Sequence, residues 1–147
     1  MTMRLAIAVA QAACDAIHAQ IEVGSANPTA KLEVRSGTRP SDPSIAPTNG
    51  NILANFSTLP APVFPPSVAI TNAAQATANV VTDVIAVNNG AATWFRVYNK
   101  DGVAVQDGTV TDTSGAGDMK VENVNVVAGV AVKIVSWTGT MPQGAAT

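Results

Sequence analysis

The sequence predicts a mainly β domain, a jelly-roll or β-sandwich, entered through one N-terminal α-helix. From Lys31 onward the chain is a series of short alternating segments rich in Val and Thr and punctuated by Gly, Pro, Asn and Asp, the pattern of half-buried strands joined by turns. Leucine is confined to Leu5, Leu32, Leu53 and Leu59, so the core has to be built from valine, and long leucine-bearing helices are missing. Helical periodicity is clear only in the opening segment. At 147 residues the chain matches one domain with one core. No repeat of about 20 to 50 residues points to a solenoid or propeller.

In the opening segment Arg4, Gln11, Asp15, His18 and Glu22 share one arc at about 100° per residue, and Leu5, Val9, Ala12, Ala13 and Ala16 share the opposite one. This predicts a helix over Met3 to Val23, capped by Thr2, ended by Gly24 and Pro28, and able to approach another backbone closely through its small apolar face. Lys31 to Arg35 reads as a strand that stops at Ser36-Gly37. Thr38 to Asn51 carries Pro40, Pro43, Pro47 and Gly50 and resists both helix and central strand. A strand follows over Asn51 to Thr58, after which Pro60, Pro62, Pro65 and Pro66 impose an extended, edge-like path. Val68 to Val87 is ambiguous: strands near Val68 to Thr71 and Ala76 to Val87 compete with a helix in an alanine-rich patch.

The second half is clearer. Thr93 to Asn99 alternates, with Trp94, Arg96 and Tyr98 on one face and Phe95 and Val97 on the other. Lys100-Asp101-Gly102 turns the chain, and Val103 to Val110 returns. Beyond a loop at Ser114 to Asp118, Met119 to Val127 and Val130 to Thr138 form two strands joined at Ala128-Gly129. The β-sandwich is thus expected over 31–138, with 139–147 as a tail.

Charged residues make up 12% of the chain and the net charge is −2, against a usual charged share of about 25%. Such a surface repels other copies weakly, which favours self-association or docking on a larger assembly. The eight basic residues are scattered, so binding to nucleic acid through counterion release is not expected. Cys14 is the only cysteine, which rules out an intrachain disulfide and a multi-cysteine zinc site and suits a reducing cytoplasm. Met1 to Ala13 has the outline of an export signal. Its apolar stretch, Leu5 to Ala10, is short, however, and Gln11 stands where a lipoprotein site wants an apolar residue, so no cleaved signal is expected. No apolar run approaches the roughly 20 residues of a membrane span.

Catalytic and cofactor chemistry finds little support. Cys14 and His18 lie four apart on one side of the helix, the spacing of a nucleophile and base, but no second histidine or orienting partner accompanies them. Packing is the simpler role. Asp107, Asp112 and Asp118 with nearby glycines suggest a calcium loop, yet they lack EF-hand spacing and match ordinary turn vocabulary. Glu22, Glu33 and Glu122 are far apart, and GxxxxGK[ST] is absent. Trp94 and Tyr98 remain as a possible aromatic platform for sugars. The expectation is a protein without enzymatic activity, metal or cofactor.

The opening helix, then Leu32-Glu33-Val34-Arg35-Ser36-Gly37-Thr38-Arg39-Pro40, then Thr93-Trp94-Phe95-Arg96-Val97 and the closing Ala128-Gly129-Val130 come in an order that resembles small structural proteins of tailed bacteriophages. In particular the chain is similar to the cement, or capsid decoration, proteins of some short-tailed phages. The resemblance covers most of the chain but draws almost nothing from Asn72 to Val87. It implies a jelly-roll domain made in the bacterial cytoplasm that sits on the outer capsid surface of the virion, often as a homodimer, and links neighbouring major capsid proteins. A tail or head-fibre component and a carbohydrate-binding adhesion module are the alternatives. The candidate partner-binding residues are Arg39, Pro40, Pro43, Pro47, Pro60, Pro62, Pro65 and Pro66. They lie in two proline-rich segments read as contact arms, because long loops in a compact domain are usually functional or disordered and proline lowers the entropy lost on docking.

Overall fold

The computed structural model describes residues 3–144; the expected cap at Thr2 and the end of the expected tail lie outside the described residues. A helix, α1 (Ile7–Ala19), runs into a 3-10 turn at Gln20–Glu22 and is followed by twelve strands. These are β1 (Lys31–Arg35), β2 (Ile52–Phe56), β3 (Val68–Ile70), β4 (Ala73–Thr77), β5 (Val84–Ile85), β6 (Gly90–Ala91), β7 (Trp94–Tyr98), β8 (Ala104–Thr111), β9 (Met119–Val121), β10 (Asn125–Val126), β11 (Ala131–Val132) and β12 (Ile134–Pro142). The protein is mainly β with one N-terminal helix, as its periodicity predicts.

Eight strands share one hydrogen-bonded sheet in the order β2-β1-β7-β8-β9-β12-β4-β3. All pairs are antiparallel except β8 with β9, which run parallel through Val110↔Met119 and Thr111↔Lys120 alone. That short joint is where the sheet folds over. Phe95 on β7 and Trp137 on β12 are three strand spacings apart along the sheet, about 14 Å if it were flat, yet their ring centroids are 5.4 Å apart, edge to face. The halves β2-β1-β7-β8 and β9-β12-β4-β3 therefore face each other as a sandwich around one core. Phe95 fits because its cross-strand partner is Gly108, where any Cβ would strike the Phe95 ring.

Two expectations about strands change. The alanine-rich patch forms β4 rather than a helix, and Ala74 and Ala76 on it are buried. These small side chains, with Gly139 on β12, let α1 lie close to the sheet through Ala10 and Cys14. The two long strands expected on either side of Ala128-Gly129 are each broken. Their bases pair as β9 with β12, while their tips splay and pair elsewhere, β10 with β6 and β11 with β5. The turn itself is present, with Gly129 at φ 84° and Val130 N–H donating to Val127 O. Meanwhile β12 runs on to Pro142, taking in part of the expected tail.

The helix is shorter than expected, without a side-chain cap at Ala6, and it faces the other way. Ala10, Cys14 and His18 are buried, whereas Val9, Ala12, Ala16 and Ile17 are exposed. Of the polar arc His18 is buried, Gln11, Asp15 and Glu22 lie half-buried beside it and Arg4 stays exposed; the half-buried three have backbone to satisfy. The chain from Val63 to Ser67 cannot pair in the sheet, and its N–H groups need acceptors. Glu22 Oε1 accepts from Val63 N–H at 2.8 Å and Asp15 Oδ1 from Ser67 N–H at 2.7 Å. Gln11 exchanges bonds with Ser67 through its side chain and its carbonyl. None of the helices described is long and apolar enough to cross a membrane.

Candidate functional site

The two proline-rich segments are built differently. The first is an Ω-loop whose ends meet: Ser36 N–H donates to Asn51 O at 3.0 Å, Asn51 N–H to Ser36 Oγ at 2.9 Å, and Thr38 N–H to Asn49 Oδ1 at 2.7 Å. Closed ends and internal side-chain bonds define such a loop. Its body is pinned to the sheet by Arg96 of β7. The Arg96 guanidinium grips Asp107 with both arms, at 2.7 and 2.8 Å, and donates to the carbonyl of Ile45 at 2.8 Å and that of Asp42 at 3.4 Å. Both charged side chains are almost wholly buried, 3% and 6% exposed, and the Asp107 carboxylate holds the Arg96 pKa above its usual value. Trp94 lies beneath, its indole N–H donating to Ser36 O and its ring flanked by Arg35 and Arg96. The loop presents Arg39 exposed and Pro40, Pro43 and Pro47 half-buried. Arg39, Pro40 and Pro43 line a cavity of about 410 Å³ against Asp107.

The second segment is a strap rather than an arm. Val63 and Phe64 are buried; the Phe64 ring stacks on His18 at 4.0 Å and meets Trp137 edge to face at 4.8 Å. Val63 O accepts from Asn79 N–H and Pro62 O from Asn79 Nδ2. Pro62, Pro65 and Pro66 are exposed and Pro60 is half-buried. Pro62, Pro65 and Pro66 line a cavity of about 280 Å³ with Asp15, His18, Glu22 and Phe64. The eight candidate residues therefore occupy two separate places, a closed Ω-loop and a strap whose exposed prolines flank the buried Val63 and Phe64.

Cys14 and His18 do meet, Sγ to Nδ1 at 3.7 Å, but inside the core. Burial raises the Cys14 pKa, lowers that of His18 against the opposing charge of Asp15, and so favours a neutral thiol beside a neutral imidazole. His18 fills the space over Gly139, where a Cβ would collide with its ring. The loop aspartates are engaged by the chain itself. Asp107 holds Arg96, Asp112 Oδ1 accepts from Ser114 and Gly115, and Asp118 Oδ2 accepts from Thr109 N–H and Oγ1. Among the described residues no three His, Cys, Asp or Glu side chains gather as a metal site. The aromatic platform is not open either: Trp94 is 1% exposed, and Tyr98 is half-buried, with Lys31 over its ring and its hydroxyl donating to Glu33 Oε2.

One surface escaped the sequence reading. The splayed tips β5/β11 and β6/β10 form one end of the sandwich, where Ile85, Val87, Val127 and Val130 are 54–59% exposed. This end abuts the root of the Ω-loop. Val87 N–H donates to Leu53 O, Asn88 Nδ2 to Ile52 O, and Gly90 sits against Leu53 and Ser36. A signal for it exists in the sequence, since no charged residue occurs in 84–95 or 123–132. Comparison of the chain with protein-family models, with curated proteins and with solved structures finds no match in any of the three.

Proposed function

We propose that the chain is a structural virion protein without enzymatic activity, which binds the outer surface of an assembled phage capsid as a dimer and stabilises it by linking neighbouring major capsid proteins. The observation that carries this reading is the Ω-loop 38–51. It faces outward but is held in one conformation by a buried Arg96–Asp107 pair that reaches its carbonyls. A loop ordered before contact loses little entropy on docking, and weak contacts repeated over many shell sites add up. A protein that binds only the assembled shell stabilises it by mass action against the pressure of the packaged DNA. No cofactor, nucleic acid or membrane enters this mechanism.

The test is cosedimentation of the purified protein with intact shells assembled from the major capsid protein of the same virus. The expected result is saturable binding in amounts approaching those of the shell protein. A few copies per particle would assign the chain to a tail or fibre instead, and no binding would reject the reading.

A further inference from the structure

The end of the sandwich beside the Ω-loop has the anatomy of a docking surface, an apolar centre within a polar rim. Ile85, Val87, Val127 and Val130 form the centre. The rim includes Asn88 and Asn89, each of which spends one amide group on the fold: Asn88 Nδ2 donates to Ile52 O and Asn89 Oδ1 accepts from Ala128 N–H. The other half of each amide is left for a partner. The surface is already rigid, since Ala86 N–H donates to Val130 O, Gly129 N–H to Ala86 O and Val130 N–H to Val127 O.

What covers it follows from charge and size. The chain has eight basic and ten acidic residues, none of them in 84–95 or 123–132, and Glu122 and Lys133, which line a cavity with Val127 and Val130, bring opposite charges to the margin of this end. The matching surface is therefore apolar at its centre and carries no excess of either charge, because a charge facing the valines would lose its hydration. Thirteen residues of these two stretches are exposed, about half of the 20–30 per side that a stable free complex uses. This is too little to hold two free copies together and enough for a partner that offers many equivalent sites.

We propose that this end docks on an apolar patch of the assembled shell that carries no excess of either charge, with the adjoining Ω-loop at its margin; the inference rests on the capsid-binding reading above and names the surface that performs it. Val130→Lys and the milder Val127→Ser are compared with Val103→Lys, in the β7–β8 hairpin at the opposite end, where Val103 is equally exposed. Circular dichroism and melting temperature verify folding, cosedimentation with intact shells measures occupancy, and sedimentation velocity measures the free protein. Occupancy at a fixed concentration is expected to fall about ten-fold or more for Val130→Lys, less for Val127→Ser, and not for Val103→Lys. Wild-type occupancy by the first two would overturn the proposal while leaving capsid binding in place. Dissociation of a free dimer by Val130→Lys would also overturn it, by assigning the surface to a second copy. Failure of the unmodified protein to sediment with shells would defeat the capsid-binding reading, and this inference with it.

Discussion

The two proline-rich segments look alike in sequence and do opposite things. Both are barred from the central sheet by prolines, yet 38–51 stands outside as a closed Ω-loop and 60–66 is strapped into the core. The difference lies between the prolines. Val63-Phe64 is an apolar pair that gains by burial, about 1.5–3 kcal/mol for a side chain of this size, and it draws the segment down onto His18 and Trp137. The first segment has Ser41, Asp42 and Ser44 between its prolines, with Thr38, Thr48 and Asn49 just outside them; such residues bond locally in turns. Its own apolar pair Ile45-Ala46 stays exposed, and Arg96 holds the loop from beneath through the Ile45 carbonyl. Proline content alone says where a chain will not pair; the residues between decide whether it packs.

The largest effect is expected in the strap. Phe64→Ala removes a ring packed between His18 and Trp137 and should cost about 4 kcal/mol, read as a lower midpoint in urea denaturation. A loss under about 1 kcal/mol, the range of an ordinary surface substitution, would mean that the strap is not part of the core. Next comes the latch of the loop. Asp107→Ala leaves the buried Arg96 without its counter-charge and should cost about 3 kcal/mol, with faster amide hydrogen exchange concentrated in 38–51. Uniform acceleration throughout the protein would contradict a local role.

A smaller effect separates the segments by pH. Burial depresses the His18 pKa below 6.5 in the folded protein, so below that pH the unfolded chain binds the extra proton more readily. Stability from this source is complete above pH 6.5 and declines as pH falls toward the folded pKa. It weakens before that from Glu33, whose carboxyl would be raised by burial but is held low overall by Lys31, Arg35 and Tyr98. His18→Gln should flatten the loss between neutral and mildly acidic pH, as measured by urea titration at each pH, and an unchanged profile would remove His18 from the account. Smallest of all, replacing 38–49 by a tight turn should shift stability by less than about 1 kcal/mol, because the shorter closure offsets part of the lost contacts. A larger loss in thermal denaturation would make the loop structural, like the strap.

Much of the fold was legible. Alternation at Trp94 to Tyr98 and the Lys100-Asp101-Gly102 turn appear as read, with Gly102 at φ 79° and its N–H donating to Asn99 O. The orientation of α1 was not legible, because its polar residues serve backbone N–H groups in a distant segment, and helical periodicity carries no information about that demand. The alternation of β7 shows which side chains share a face but not what covers them, since Arg96 reaches the Ω-loop through main-chain carbonyls that any sequence would supply. Of the candidate site, the loop half stands in a closed loop over β7, while in the strap half Pro62, Pro65 and Pro66 stay exposed and the residues between them, Val63 and Phe64, turn inward. The neighbouring apolar end was visible only as missing charge in two stretches far apart in the chain.

Hydrogen–deuterium exchange of the protein free and bound to intact shells tests the central claim most directly, that one end of the sandwich attaches it. Slower exchange on binding is expected in 38–51, 84–91 and 123–131, with the strap 60–66 and the 99–103 hairpin unchanged. Protection confined to the strap and the outer face of α1, with none at the loop or the uncharged end, would contradict the account.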